Sequence, residues 1–162
     1  MFNFLNTLKN RIFRPDSRWL DERAIATLTN AVKNGERGHG GELRLVIERR
    51  PLPGGTSAQA QAKRHFSTLG LWNTEDRSGV LIYLNLAART LHILADSGVR
   101  AVLPQNVWDE LAARSLRQFK AGNEIATLDT LIAESAALLR QHFGKADDPH
   151  GNELPDNPVI ID

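Results

Sequence analysis

The 162-residue chain contains no cysteine, one methionine, one tyrosine and no long apolar run. Without cysteine there can be no disulfide scaffold, thiolate zinc site, iron–sulfur cluster or thiol nucleophile. Without a run near the ~20 apolar residues of a membrane span, the chain is not expected to cross a bilayer. Residues 1–14 also lack the uninterrupted stretch of ~7–15 apolar residues that an export signal needs, so the expected compartment is the cytoplasm. The formal net charge is only +1, and no basic stripe with interleaved aromatics is present, which argues against nucleic acid as a partner.

The charge that is present is divided along the chain. Residues 1–64 hold 12 of the 20 Lys and Arg but only 6 of the 19 Asp and Glu. Within residues 1–15, Phe2, Leu5, Leu8 and Ile12 recur at helical spacing beside Lys9, Arg11 and Arg14. Such an amphipathic segment can dock on its own domain, on a protein partner, or on an anionic membrane surface through residues 1–14. At the other end, residues 145–162 carry three prolines and five acids, a composition that predicts no regular structure, although Leu154, Val159, Ile160 and Ile161 are apolar enough to anchor the tail.

Between these ends, residues 16–144 read as one domain. Asp16 or Ser17 is placed to cap a helix with Leu20, Ala24, Leu28 and Val32 on one side, stopping near Gly35. From Glu42 to Glu48 the chain alternates, with Leu43, Leu45 and Ile47 on one face. Thr56 and Gln59 read as a capping box for a helix carrying Ala58, Ala62, Phe66 and Leu69. Gly79 to Leu86 is an unbroken apolar run that suits a central strand, and a three-residue link to Thr90–Ala95 forces an antiparallel hairpin. Two further helices follow, one opened by Pro104 and one by Asn123. Because a strand–helix–strand unit has a right-handed crossover and a parallel pair, the expected fold is α/β: a small three-layer α/β/α sandwich with a mixed sheet, a βαβ unit plus a β-hairpin.

This topology brings the start of the first strand (Glu42), the approach to the second (Glu75, Asp76) and the exit of the third (Asp96) to one end of the sheet. Clustered carboxylates suit a hard cation such as calcium or magnesium. The alternative is a set of solvated acids paired with Arg44, Arg77 and Arg100. At the opposite end Glu48, Arg49, Arg50 and Asn85 read as ordinary surface. Gly38-His39-Gly40-Gly41 has the amides to cradle an anion but reads more simply as a turn. The five histidines show no ligand spacing, and neither a P-loop nor a Gly-x-Ser-x-Gly elbow is present.

One stretch is more specific. Phe66-x-x-Leu69-Gly70-Leu71-Trp72-x-x-x-Asp76-x-x-Gly79-Val80-Leu81-Ile82-Tyr83, then Arg89-x-Leu91-x-Ile93-x-Ala95-Asp96-x-Gly98, then Phe119-Lys120-Ala121-Gly122-Asn123, resembles the TPM-domain family of thylakoid-lumen photosystem II repair proteins and bacterial relatives. Gly41-Glu42-Leu43-Arg44 and the ending Asn152 to Val159 resemble a compact bacterial subgroup without export signal or membrane anchor. The resemblance implies a small α/β sandwich, a cation site that holds calcium in some members, and weak acid-phosphatase activity in some. It points to Asp76 and Asp96 as ligands beside Glu42. The chain departs from the family pattern where relatives read Asp-Asn-Gly, having Asp76-Arg77-Ser78-Gly79 instead, and it has Gln105 where a carboxylate is often found, leaving Gln105 as a neutral oxygen. A lost charge weakens divalent binding. The expected function is therefore a protein-interaction or regulatory module with a degenerate cation site, its partner a protein such as a membrane-bound TPM relative. The alternative is a weak cation-dependent acid phosphatase. No catalytic nucleophile is assigned, and oligomeric state is not readable.

Overall fold

The computed structural model describes residues 17–144 and 154–162. The amphipathic segment at residues 1–14 and the first half of the proline-rich tail lie outside them.

Hydrophobic alternation sets the sheet. β1 (Glu42–Glu48) sits between β2 (Gly79–Asn85), parallel to it, and β4 (Val159–Ile161), also parallel; β3 (Thr90–Ala95) pairs antiparallel with β2. The order β3-β2-β1-β4 makes a mixed four-stranded sheet, and β1 and β2 are buried along their whole length. One face, with Leu43, Leu45, Ile47, Val80, Ile82 and Leu84, is covered by α1 (Glu22–Gly35), α4 (Gln105–Lys120) and α5 (Glu124–Phe143), and Trp108 of α4 is fully buried there. The other face carries Val46, Leu81 and Tyr83 under α2 (Ala58–Thr68) and the tail residues Leu154, Val159 and Ile161. The α/β expectation, with a βαβ unit and a hairpin, is what the structure has.

Several local expectations are corrected. The first helix begins later than Asp16 or Ser17: Asp21 caps it, accepting from the Ala24 amide at 2.9 Å, because residues 17–20 form a turn closed by the Leu20 amide on the Ser17 carbonyl at 3.0 Å, and Trp19 and Leu20 pack on the domain. The second cap is Ser57 rather than Thr56, with its hydroxyl on the Ala60 amide at 3.1 Å. Residues 97–100 form a further short helix, α3 (Ser97–Arg100), capped by Asp96. The tail does contain regular structure. All three prolines precede Val159, so the last residues keep their amides, and Val46, Ile47 and Glu48 pair with Val159, Ile160 and Ile161. The Arg49 amide extends the ladder to the Ile161 carbonyl at 2.7 Å, and the Arg49 guanidinium meets Asp162 at 2.5 Å.

Candidate functional site

Strand register determines which side chains share the end of the sheet where β1 and β2 begin. Glu42 aligns with Gly79, and the Asp96 amide bonds the Gly79 carbonyl at 2.9 Å, so Glu42 and Asp96 flank Gly79 on the α2 face. They do not meet. A Cβ at Gly79 would lie 2.3 Å from the Leu71 carbonyl oxygen, so the backbone of the loop that follows α2 fills the space above this glycine. That close approach is why residue 79 is glycine.

Each predicted ligand has its own surroundings. Asp96 is buried, and Arg77 grips it twice, Nε to Oδ2 at 3.0 Å and Nη2 to Oδ1 at 3.3 Å; Oδ1 also accepts from the Ser97 amide at 2.7 Å. Arg77 stands at φ 51°, a left-handed conformation unfavourable for arginine, and the loop is held there by the close packing of the Asp76 and Arg77 carbonyls on Gly98. Asp76 itself is exposed on this loop. Gln105 turns its amide nitrogen to the Ile93 carbonyl at 2.7 Å and to Asp109 at 2.9 Å, covering the open edge of β3. Asp96 and Gln105 share a groove of about 290 Å³ whose other walls include Lys63 and Arg100. Neither cation forms an ion pair among the described residues, so the groove beside Asp96 is cationic.

Glu42 belongs to a different group. It is buried next to Glu36, which donates structure to the strand by accepting the Leu43 amide at 2.9 Å, and to Asp156 of the tail. Burial, then the hydrogen bond to Asp156 and the charge of Glu42, push the Glu36 carboxyl up to about 10, so it is protonated at neutral pH. Arg44 lies among these three acids and donates to the Pro155 carbonyl; burial lowers its pKa while the acids oppose that shift. Among the described residues no group of three or more His, Cys, Asp or Glu is arranged to hold a metal ion.

The opposite end of β1 is not the ordinary surface expected of it. Glu48 is fully buried, because strand alternation puts it in phase with Glu42, Arg44 and Val46 beneath α2. Its Oε2 accepts from the Tyr83 hydroxyl at 2.6 Å and faces His65 Nε2 at 3.1 Å and Gln61 Nε2 at 3.4 Å; Oε1 accepts from Arg50 at 2.8 Å. Asn85 completes the network through the Tyr83 hydroxyl, the Arg50 carbonyl and the Ala88 amide. Burial disfavours the Glu48 anion, but the bonds from Tyr83, Arg50, His65 and Gln61 outweigh it and bring the carboxyl down to about 2. Burial and the hydrogen bond to Glu48 push the Tyr83 hydroxyl well up, so it stays a donor. The signal was present in the sequence as Gln61 and His65 four apart on one helix face, opposite the Tyr83 and Asn85 positions of β2.

The glycine-rich turn at 38–41 is structural. His39 is fully buried, with Nε2 donating to the Gly35 carbonyl at 2.6 Å and Nδ1 accepting from the Gly41 amide at 3.0 Å, and Arg140 of α5 ties the Gly35 and Arg37 carbonyls. His92 is half-buried on edge strand β3, its pKa lowered by burial against the opposing charge of Asp109.

This fold recurs in solved structures. The chain is similar to the BA42 protein of the psychrophilic bacterium Bizionia argentinensis, with 27% identity, a TM-score of 0.76, and coverage of 86% of this chain and 94% of that one. The N-terminal domain of a protein from P. gingivalis shares the fold at 16% identity and a TM-score of 0.62, covering 81% of this chain and 85% of that one. No curated protein matches the sequence. The TPM domain model matches residues 16–137, most of the chain, and it spans the α1-to-α5 body in which the Gly79–Gly98 loop clamp and the Asp96–Arg77 pair are built. The chain belongs to the TPM domain family.

Proposed function

We propose that this chain is a cytoplasmic TPM-domain module that works by binding a protein rather than by metal-dependent catalysis, and that its cation site is degenerate. The observation that carries this reading is the double grip of Arg77 on Asp96. A guanidinium supplies in place the positive charge that a divalent ion would bring, and it saturates both carboxylate oxygens. Lys63 and Arg100 on the walls of the same groove add repulsion for any dication. Among the described residues no group of three or more His, Cys, Asp or Glu gathers around Asp96. No helix among the described residues is long and apolar enough to cross a membrane. The partner in this reading is a protein such as a membrane-bound TPM relative, met through residues 1–14, whose apolar and basic side chains also suit an anionic membrane surface.

The competing reading, a weak calcium- or magnesium-dependent acid phosphatase, makes opposite predictions. Calcium, magnesium and manganese titrated to millimolar levels are expected to leave the Asp96 and Gly98 amide resonances in place. The same protein is expected to release no phosphate from p-nitrophenyl phosphate at acid or neutral pH. A saturable calcium shift at Asp96 accompanied by metal-dependent hydrolysis would replace the binding module with the phosphatase.

A further inference from the structure

Only two non-glycine residues among those described adopt positive φ, and both are arginines: Arg77 at 51° and Arg89 at 56°. A left-handed backbone is unfavourable for an L-residue with a side chain, and short hairpin links ordinarily place glycine or asparagine there. Arg77 has its compensation in Asp96. Arg89 closes the β2–β3 hairpin and makes no ion pair or hydrogen bond to the described residues, so nothing in the fold explains a guanidinium at that strained position.

Arg89 stands on the rim of a cleft of about 170 Å³ at the carboxyl end of β2. Apart from Asn85 its walls are apolar: Leu84 and Leu86 from the strand end, Leu116 and Phe119 from α4, and Trp19, which meets Phe119 edge to face with ring centroids 5.6 Å apart. Lys120 lines the cleft as well and also makes no ion pair among the described residues. Among the described residues Glu124 is the only carboxylate lining the opening, so two cations face one acid there. In open α/β sheets, the crevice beyond the carboxyl ends of parallel strands is where ligands bind. An aromatic floor under uncompensated cations matches a molecule with one apolar and one anionic part.

We propose that this cleft binds an amphiphilic anion, a hydrocarbon chain ending in a carboxylate or phosphate, with the chain against Trp19 and Phe119 and the head between Arg89 and Lys120. A free fatty acid and an anionic lipid at a membrane surface both present this chemistry. The site is independent of the Asp96 groove, which lies at the other end of the sheet.

The test uses the full chain and follows the Trp19 indole and Arg89 amide resonances. Octanoate is expected to shift both saturably, with a dissociation constant of about millimolar or tighter, while acetate and octanol are far weaker. Arg89→Gly gives the turn the residue it favours, so thermal stability stays level or rises, yet octanoate binding falls by about fivefold or more; Lys120→Gln weakens it less. Sedimentation with phosphatidylglycerol vesicles, against phosphatidylcholine vesicles, tells the two sources apart: vesicle binding lost in Arg89→Gly without an octanoate response assigns the site to a lipid surface, and an octanoate response alone assigns it to a free acid. If octanol binds as well as octanoate, if Arg89→Gly binds like the unaltered protein, or if both probes leave Trp19 unmoved, the proposal is overturned.

Discussion

The two ends of β1 on the α2 face each hold a glutamate, Glu42 and Glu48, and the carboxyls gathered at those ends titrate in opposite directions. Glu48 is buried and drawn down to about 2; Glu36, beside Glu42, is partly buried and pushed up to about 10. Desolvation is the largest single influence on both, so burial alone does not decide the outcome. The balance of donors does. Around Glu48, Tyr83, Arg50, His65 and Gln61 all present donors to one carboxylate. Around Arg44, three carboxylates from the α1 end, β1 and the tail share one guanidinium, and the surplus is relieved by keeping a proton on Glu36.

The largest effect that separates these ends is removal of the acceptor. Glu48→Ala leaves the Tyr83 hydroxyl, Gln61 and Arg50 facing a cavity without an anion, an expected loss of ~3–5 kcal/mol in urea unfolding. Glu42→Ala removes one of three competing acids, and its expected cost is ~1 kcal/mol or less. Equal losses in the two variants would show that both ends are held by packing and that donor balance is irrelevant.

Next in size is the dependence on pH, where the two ends work against each other. Glu48 has a folded value near 2 against an ordinary 4.5, so its contribution is present above 4.5 and is lost as pH falls toward 2. Glu36 has a folded value near 10 against the same 4.5, so its contribution is full below 4.5 and is lost as pH rises toward 10. Glu36→Gln keeps a neutral donor at the Asp156 contact and has nothing to ionise. It should therefore flatten the decline between neutral and alkaline pH and be more stable than the unaltered protein there by ~1–2 kcal/mol, while leaving the acid limb, which belongs to Glu48, unchanged. An alkaline slope that survives Glu36→Gln would assign the decline to other groups.

This contrast also shows how far the sequence could be read. The alternation of Glu42 to Glu48, the apolar run from Gly79 and the short link at residues 87–89 are local patterns, and they specify strands, pairing and the βαβ crossover without knowledge of tertiary contacts. Asp96 and Glu42 were placed at one end of the sheet by the same logic. What that logic lacks is the third dimension above the strands: the Leu71 backbone that covers Gly79 depends on where the loop after α2 lies. In the sequence Glu48 looks like surface because charge usually means solvent, and its burial depends on α2 bringing Gln61 and His65 over it. Val159–Ile161 was hidden by the prolines before it, although its three apolar residues find an edge of β1 to pair with. Arg77 and Arg89 carry no sequence signal of left-handed backbone, since arginine is not a residue that favours it.

Asp96 is the intermediate case, and it yields the smallest effect. Its single strong partner, Arg77, is 54% exposed at the side chain, so the pair is worth no more than ~1 kcal/mol in water. Arg77→Asn loses that pair but places at φ 51° a residue that tolerates the left-handed region, recovering a similar amount. The net change in unfolding free energy should lie within ~0.5–1 kcal/mol of zero. Salt separates the two parts: screening weakens the Arg77–Asp96 pair in the unaltered protein and leaves Arg77→Asn unaffected, so the variant gains relative stability as salt rises. A loss above ~2 kcal/mol that salt does not alter would mean that Arg77 holds the residue 70–78 loop against Gly98 through its packing, and that Asp96 behaves like Glu48, as a buried anion dependent on a full set of donors.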